Sequence, residues 1–329
     1  MKQVLIGLLI FGVASVYGDG ALSLERAGVP FVPVNAEITW GVPTNQQPME
    51  LWVYRTIPQN FSPNAISNLM ALGSFTTNDQ RKLTAEESAI DANALAFVTK
   101  DENRSLGISP ALGWIIYKDN RAFDVRDKIQ GVPSDAKAKK LALKLLDEIG
   151  IPRSELVKES KNGEPLTFRE TGTRGPTYHT KTKTTTGKNE IDSRGVFFIR
   201  QIEGVSFAGI GVAGGFYVRF VSRAKVQELE LVWRNLRRWK EFQVASPDQI
   251  VQWIKEGRAV MPGPNVNPNE VIKLTITQIS PLYMGELGGK RQDFTYPFGS
   301  LNAIADLGRT NVNVQLYCPI LSMNDSTSP

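Results

Sequence analysis

The chain has 329 residues, 41% hydrophobic and 22% charged, with a formal net charge of +5. That composition is globular and its length admits one large domain or two smaller ones, while so weak a basic excess does not by itself imply nucleic acid. One cysteine, Cys318, excludes an intrachain disulfide, and one histidine, His179, is the sole residue on which a Ser-His-Asp or Cys-His site could be built.

Lys2, the apolar run Val4–Val16 and Val16-Tyr17-Gly18 before Asp19 have the form of a secretory signal peptide over residues 1–18. The run is shorter than the roughly 20 apolar residues that a spanning helix needs. The mature chain is therefore expected outside the cytoplasm, secreted or periplasmic, with no transmembrane anchor; retention as an anchor is the alternative.

Residues 36–40 and 50–55 read as strands. Ser62 as N-cap, Pro63 at the first helical position and Gly73 at the end predict a short helix with Ile66, Leu69 and Met70 on its apolar face. The polar segment 76–91 has room for another helical turn. Strands are expected at 94–99 and 112–117, joined by a polar connection, and 120–127 reads as either a further strand or an extended connection. Ser134–Gly150 is the clearest helix, with Ala138, Leu141, Ala142, Leu145, Leu146 and Ile149 on one face. The stretch 159–193 is polar; its Thr/Lys-rich part, 177–188, reads as a solvated loop, with a mobile polyanion-binding loop as the alternative, and His179 within it as exposed.

Residues 195–234 predict four consecutive strands. Phe216, Val218 and Phe220 share one face, and Leu229, Leu231 and Trp233 alternate with Glu228 and Glu230. Gly209, Gly211 and Gly214 fit G-x-G-x-x-G, but the following segment has strand period, so the glycines read as a close-packed or bulged strand and no cofactor is expected. Ser246–Gly257 is a second Ser-Pro helix, burying Ile250, Trp253 and Ile254. A strand over 271–278 points Ile272, Leu274 and Ile276 inward, and one over 311–318 does the same with Val312, Val314, Leu316 and Cys318, making the thiol a buried one. The tail from Ser322 reads as loose.

The segments SPNAISNLMALG at 62–73 and SPDQIVQWIKEG at 246–257 match in their Ser-Pro start, Ile, large apolar residue and closing Gly. ELWVYR (50–55) and ELVWR (230–234) precede them, and LAFVT (95–99) and LTIT (274–277) follow. This order suggests an internal duplication. The fold expected is α+β: antiparallel sheets with few helices packed on one face, in two related lobes, 19–131 and 132–329.

No clustered His, Cys or carboxylates predict a metal, and no pair of carboxylates stands out as catalytic. The densest basic-aromatic segment is Trp233, Arg234, Arg237, Arg238, Trp239 and Lys240. Guanidinium groups suit carboxylates and phosphates, and indoles can stack. Strand phase places Trp233 inward and Arg234 outward, with the cations facing water or an anionic partner, either a protein or an envelope polymer.

The helix ending in AKKLALKLLDEIG (138–150), followed by GVFFIRQIEGVSFAG (195–209) and FYVRFVSRAKVQELEL (216–231), resembles a PepSY-type module. With YMGEL (283–287) and YPFGSL (296–301), the region 132–329 is similar to the YycI/YycH group of extracytoplasmic regulators. That resemblance implies non-enzymatic α+β domains and a regulatory role; those proteins keep an N-terminal membrane helix, which this chain is expected to lose. A non-catalytic exported binding or regulatory protein is the leading expectation. A carboxylate-dependent hydrolase and a structural component of an envelope or extracellular assembly are the alternatives.

Overall fold

The computed structural model describes residues 28–48, 50–123, 129–159, 163–175, 177–179, 183–208, 214–285 and 291–322. The expected signal segment, Gly209 and Gly211, and the tail beyond Ser322 lie outside these residues.

The chain starts in one sheet, crosses to a second and returns. β1 (Val29–Pro30) and β2 (Glu37–Trp40) belong to an eight-stranded sheet, and β3 (Glu50–Ile57) is the middle strand of a three-stranded bridge. Helices α1 (Pro63–Leu72) and α2 (Ala85–Ile90) follow, then β4 (Leu95–Val98), β5 (Arg104–Ser109) and β6 (Trp114–Asp119) of a seven-stranded sheet. Next come α3 (Asp135–Ile149), β7 (Phe168–Arg174), the hairpin β8 (Thr177–His179) and β9 (Thr184–Thr186), and β10 (Glu190–Ile199). β11 (Gln201–Ile202) and β12 (Val205–Ala208) reach back to the eight-stranded sheet, before β13 (Gly215–Phe220) and β14 (Val226–Val232) complete the seven-stranded one. β15 (Asn235–Gln243) re-enters the bridge. After α4 (Pro247–Lys255), strands β16 (Val260–Met261), β17 (Lys273–Met284), β19 (Pro297–Asp306) and β20 (Asn311–Pro319) fill the eight-stranded sheet, while β18 (Phe294–Thr295) joins the bridge.

The architecture is α+β, with antiparallel pairing throughout except for β2 and β12, which both run parallel to β17. The three helices that the sequence announces form where their caps stand. Ser62, Ser134 and Ser246 each accept a hydrogen bond from the backbone three residues on, and Gly150 closes α3 in the left-handed region at φ 86°. Ile250, Trp253 and Ile254 are buried, as their helical spacing requires.

Two cores result. One holds Phe31, Leu51, Val53 and Phe242 with Ile254, Leu274, Leu301, Leu316 and Cys318; α4 packs there against β20 and β2. The other joins Leu69, Leu106, Tyr117, Leu146, Phe198, Phe216, Leu229 and Trp233, under α1 and α3. A boundary at 131/132 would divide this second core, whose members come from both sides of it. The chain is partitioned instead by its two passages through the bridge, β3 and β15.

Several other expectations are corrected. The middle strand of 195–234, β12, leaves its neighbours for the other sheet. The connection between the strands at 94–99 and 112–117 contains β5, and the polar stretch 159–193 contains the exposed edge strand β7 and the hairpin β8–β9. Ile272 precedes β17 and is 58% exposed instead of inward. The strand entering the second Ser-Pro helix is β15 and not ELVWR. The following strands also differ in position, β4 at a sheet edge and β17 inside a sheet, so the flanking elements of the suggested duplication are not equivalent. Cys318 is fully buried, and burial pushes its thiol up to about 12.

Helix α2 carries a pH-sensitive cap. The Glu87 carboxylate accepts from both arms of Arg81 at 2.7 and 2.5 Å and from the Thr84 amide at 2.8 Å, while its own amide donates to Thr84 Oγ1. The Arg81 hydrogen bonds dominate in lowering Glu87 from 4.5 to about 2. A depressed carboxylate stabilises the fold above its unfolded value and loses that contribution as pH falls through the folded one. The full shift would correspond to at most about 3 kcal/mol; screening at the partly exposed Arg81 reduces this to about 1–2. Glu87→Gln should therefore be less stable than wild type near neutrality, and their unfolding curves should converge between pH 4.5 and about 2.

Candidate functional site

The bridge is where the two cores meet. β3 lies between β15 and β18, with Arg237 opposite Arg55, Arg238 opposite Tyr54, and Phe294 and Thr295 opposite Arg55 and Tyr54. Because successive side chains alternate, each face carries a distinct set. A bulge between Arg238 and Lys240 shifts the phase and brings Trp239 and Lys240 onto the Arg237 side.

On that outer side, Arg55, Arg237 and Lys240 are exposed, beside Trp239 at 37% and Ile57 at 39% exposure. Trp239 packs on Phe294 with ring centroids 4.9 Å apart and on Phe242 at 5.9 Å; Lys240 stands over the Phe242 ring. Among the described residues, Arg55 and Arg237 make no ion pair. Arg237, Trp239 and Lys240 thus share one surface, and Arg55 is the member that the sequence reading missed.

Arg238 points to the opposite face. Its Nε donates to Glu203 Oε1 at 2.8 Å, its Nη2 bonds the same oxygen, and the guanidinium stacks on Trp52 at 4.9 Å. Tyr54 lies beside this pair, 3% exposed, with its hydroxyl closed off from solvent and interacting with Glu203, Arg238 and Tyr283. Burial, followed by the Glu203 charge, pushes that hydroxyl up to about 12.

Arg234, expected outward, is 5% exposed. β14 ends at Val232 and β15 begins at Asn235, so the alternation breaks between them and both Trp233 and Arg234 turn inward. Arg234 donates to Gln292 Oε1 at 3.2 Å. Its carbonyl accepts from Arg200 Nη1 at 2.6 Å.

Arg200, in the bend between β10 and β11, organises this junction. It is 3% exposed, pairs with Glu155 through Nε at 2.8 Å and Nη2 at 2.7 Å, and lies between the rings of Trp233 and Phe207 at 4.9 and 5.2 Å. Glu155 Oε2 also accepts from Trp233 Nε1 at 3.1 Å. Burial pushes the guanidinium below its usual range, and the Glu155 charge opposes that shift. A buried charge is tolerated only when paired and hydrogen-bonded, and here each arm has an acceptor or an aromatic face. The one sequence signal for Arg200 is a charge interrupting the apolar run FFIRQI.

A cavity of about 490 Å³ opens beside this network, lined by Tyr54, Ser154, Glu155, Arg200, Glu203, Asn235, Leu236 and Arg238 among others. Its two glutamates are each committed to an arginine, so neither stands as a lone proton donor of the kind a glycosidase pair requires. Gly214, the last glycine of the motif, leads directly into β13 and not into a helix that could hold a pyrophosphate. No group of three or more metal-ligating side chains occurs among the described residues, and no helix there is long and apolar enough to cross a membrane.

No known protein family matches the chain, and no curated protein does. Among solved structures, it is similar to an uncharacterized protein from Eubacterium rectale at 10% identity, over 86% of each chain, with a TM-score of 0.44.

Proposed function

We propose that this is an exported, non-catalytic binding protein of the regulatory kind, which engages an anionic partner through the outer face of the bridge. The observation that carries the reading is the direct opposition of Arg55 and Arg237 across β3 and β15. Like charges facing each other across a strand pair cost stability, and that cost falls when an anion lies between them. Two planar guanidinium forks side by side suit carboxylate or phosphate groups repeated along a polymer or an acidic protein segment. Lys240 extends the positive surface, and Trp239 offers an indole for packing. Export rests on the N-terminal sequence. The regulatory part rests on the PepSY-like order in the sequence, a helix followed by several strands.

The double variant Arg55→Ala/Arg237→Ala tests the reading. Folding should be retained or slightly improved, because exposed charges contribute little and a repulsion is removed. Binding to an anionic polymer such as polygalacturonate or polyphosphate should fall by roughly tenfold or more, and salt should weaken wild-type binding in the same direction. Equal binding by wild type and variant at low salt would refute it.

A further inference from the structure

β15 carries the basic side chains and is also the longest open sheet edge among the described residues. It spans nine residues, and β3 is its one strand neighbour there. The Gln243 carbonyl accepts from the Ser322 amide, which closes one end of the edge. From Leu236 to Phe242 the backbone makes no hydrogen bond outside the ladder to β3 among the described residues. Every second residue of a strand turns its N–H and C=O away from a given neighbour, and residues 237–241 are exposed. We infer that this edge accepts an extended acidic peptide segment as an added strand. The inference rests on the anionic-partner reading and names the class of that partner.

An added strand places its side chains on the same two faces as β15. On the outer side it meets Arg237, Trp239 and Lys240, with Arg55 one strand further. On the inner side it meets Arg238, already paired with Glu203, and Glu241, which lies opposite Trp52. Acidic residues at alternate positions, with neutral ones between, therefore fit this edge. The same cations repel the identical edge of a second copy, so β15 is guarded against self-pairing and open to an acidic strand. The other long exposed edge is different. In the seven-residue β7, Arg169 pairs with Asp135 and Glu170 with Arg219, so those charges are committed within the fold. The edge of β4 is covered, by a bridge from Gln80 to Phe97 and a hydrogen bond from the Arg81 amide to the Ala96 carbonyl. A saccharide or polyphosphate chain answers the cations of β15 but has no amide ladder, whereas a peptide uses the side chains and the backbone together.

The test titrates the full chain with a peptide of alternating glutamate and threonine, about as long as β15, with the same peptide N-methylated at every amide, and with polyphosphate. The unmodified peptide should bind roughly tenfold or more tightly than the methylated one, as the loss of several hydrogen bonds requires. Hydrogen–deuterium exchange should slow at those amides of 236–242 that exchange freely in the unbound chain, and polyphosphate should not slow them. Arg55→Ala/Arg237→Ala should weaken binding of the peptide and of polyphosphate alike. Equal affinity for the two peptides, or peptide binding without slower exchange, overturns strand addition and leaves the anionic surface standing. Binding of polyphosphate but of neither peptide does the same, in favour of a polymer. Failure of every probe to bind removes both readings. Protection of these amides before any peptide is added, lost on dilution, would assign the edge to a second copy and overturn the inference as well.

Discussion

Arg200→Met should destabilise the protein by about 3–5 kcal/mol, the range for breaking a buried ion pair by removing one partner. The substitution keeps much of the aliphatic volume between Trp233 and Phe207 but strands the Glu155 carboxylate and the Arg234 carbonyl, which the guanidinium satisfies together. Trp233 Nε1 would keep its bond to Glu155, now an uncompensated charge. Arg200→Lys should recover only part of the loss, since one ammonium cannot reproduce a planar fork that reaches two acceptors on different elements. Removing both charges, as Arg200→Met/Glu155→Leu, should be less harmful than Arg200→Met alone, because the cost lies mainly in the orphaned carboxylate. Chemical denaturation of the three variants checks this series. A loss below about 1 kcal/mol for Arg200→Met would place the residue in the ordinary range of surface substitutions and contradict its role as a pin between the two cores.

Gly113→Val should cost about 3 kcal/mol or more, for two reasons that add. Gly113 has φ +57°, where a residue with a Cβ is disfavoured by roughly 1–2 kcal/mol, and a β-branched one more so. In addition, a Cβ there would lie 2.5 Å from the Trp233 carbonyl oxygen and 2.7 Å from Arg234 backbone atoms. Backbone cannot step aside as a flexible side chain can, so the turn would move away from the β14–β15 junction, at a cost of about 1–3 kcal/mol for such displacement. It would also strain the 2.7 Å hydrogen bond from the Trp233 amide to the Gly113 carbonyl. Gly150 provides the control. It has φ +86° but nothing within 4 Å of a built Cβ, so Gly150→Ala should cost only the conformational part, about 1 kcal/mol. Thermal unfolding of both variants distinguishes crowding from backbone preference. Equal losses at the two positions would show that the close approach at Gly113 carries no weight.

Arg200 and Arg234 show where reading by pattern stops. Arg200 interrupts an apolar run and could be flagged as unusual, but its partner Glu155 stands in a short polar turn with no local mark. Continuing the alternation of Leu229 and Leu231 puts Arg234 outward, but the strand ends two residues earlier, and a phase argument has no force across a break. Arg237, Trp239 and Lys240 form a recognisable basic-aromatic group because they lie close together in sequence. Arg55 could not be joined to them, since only the register of β15 against β3 places it opposite Arg237.

The sequence by itself determined the local elements with strong periodicity and chemical punctuation: α1, α3 and α4 with their serine caps, β13, β14 and β20 with their alternating faces, and the buried thiol. These depend on side-chain spacing and on the first and last backbone groups of a helix, which neighbouring residues settle. Tertiary structure decided the rest. β5 and β7 are too polar to announce themselves, and Gly299, Ser300 and Asn302 break the apolar pattern of β19; each becomes a strand because another edge completes its hydrogen bonds. The excursion of β11 and β12, the partition through β3 and β15, and the junction cavity are likewise non-local. A period of two states which residues share a face of a strand but not which strand lies beside it, and that choice is made only when distant segments pack.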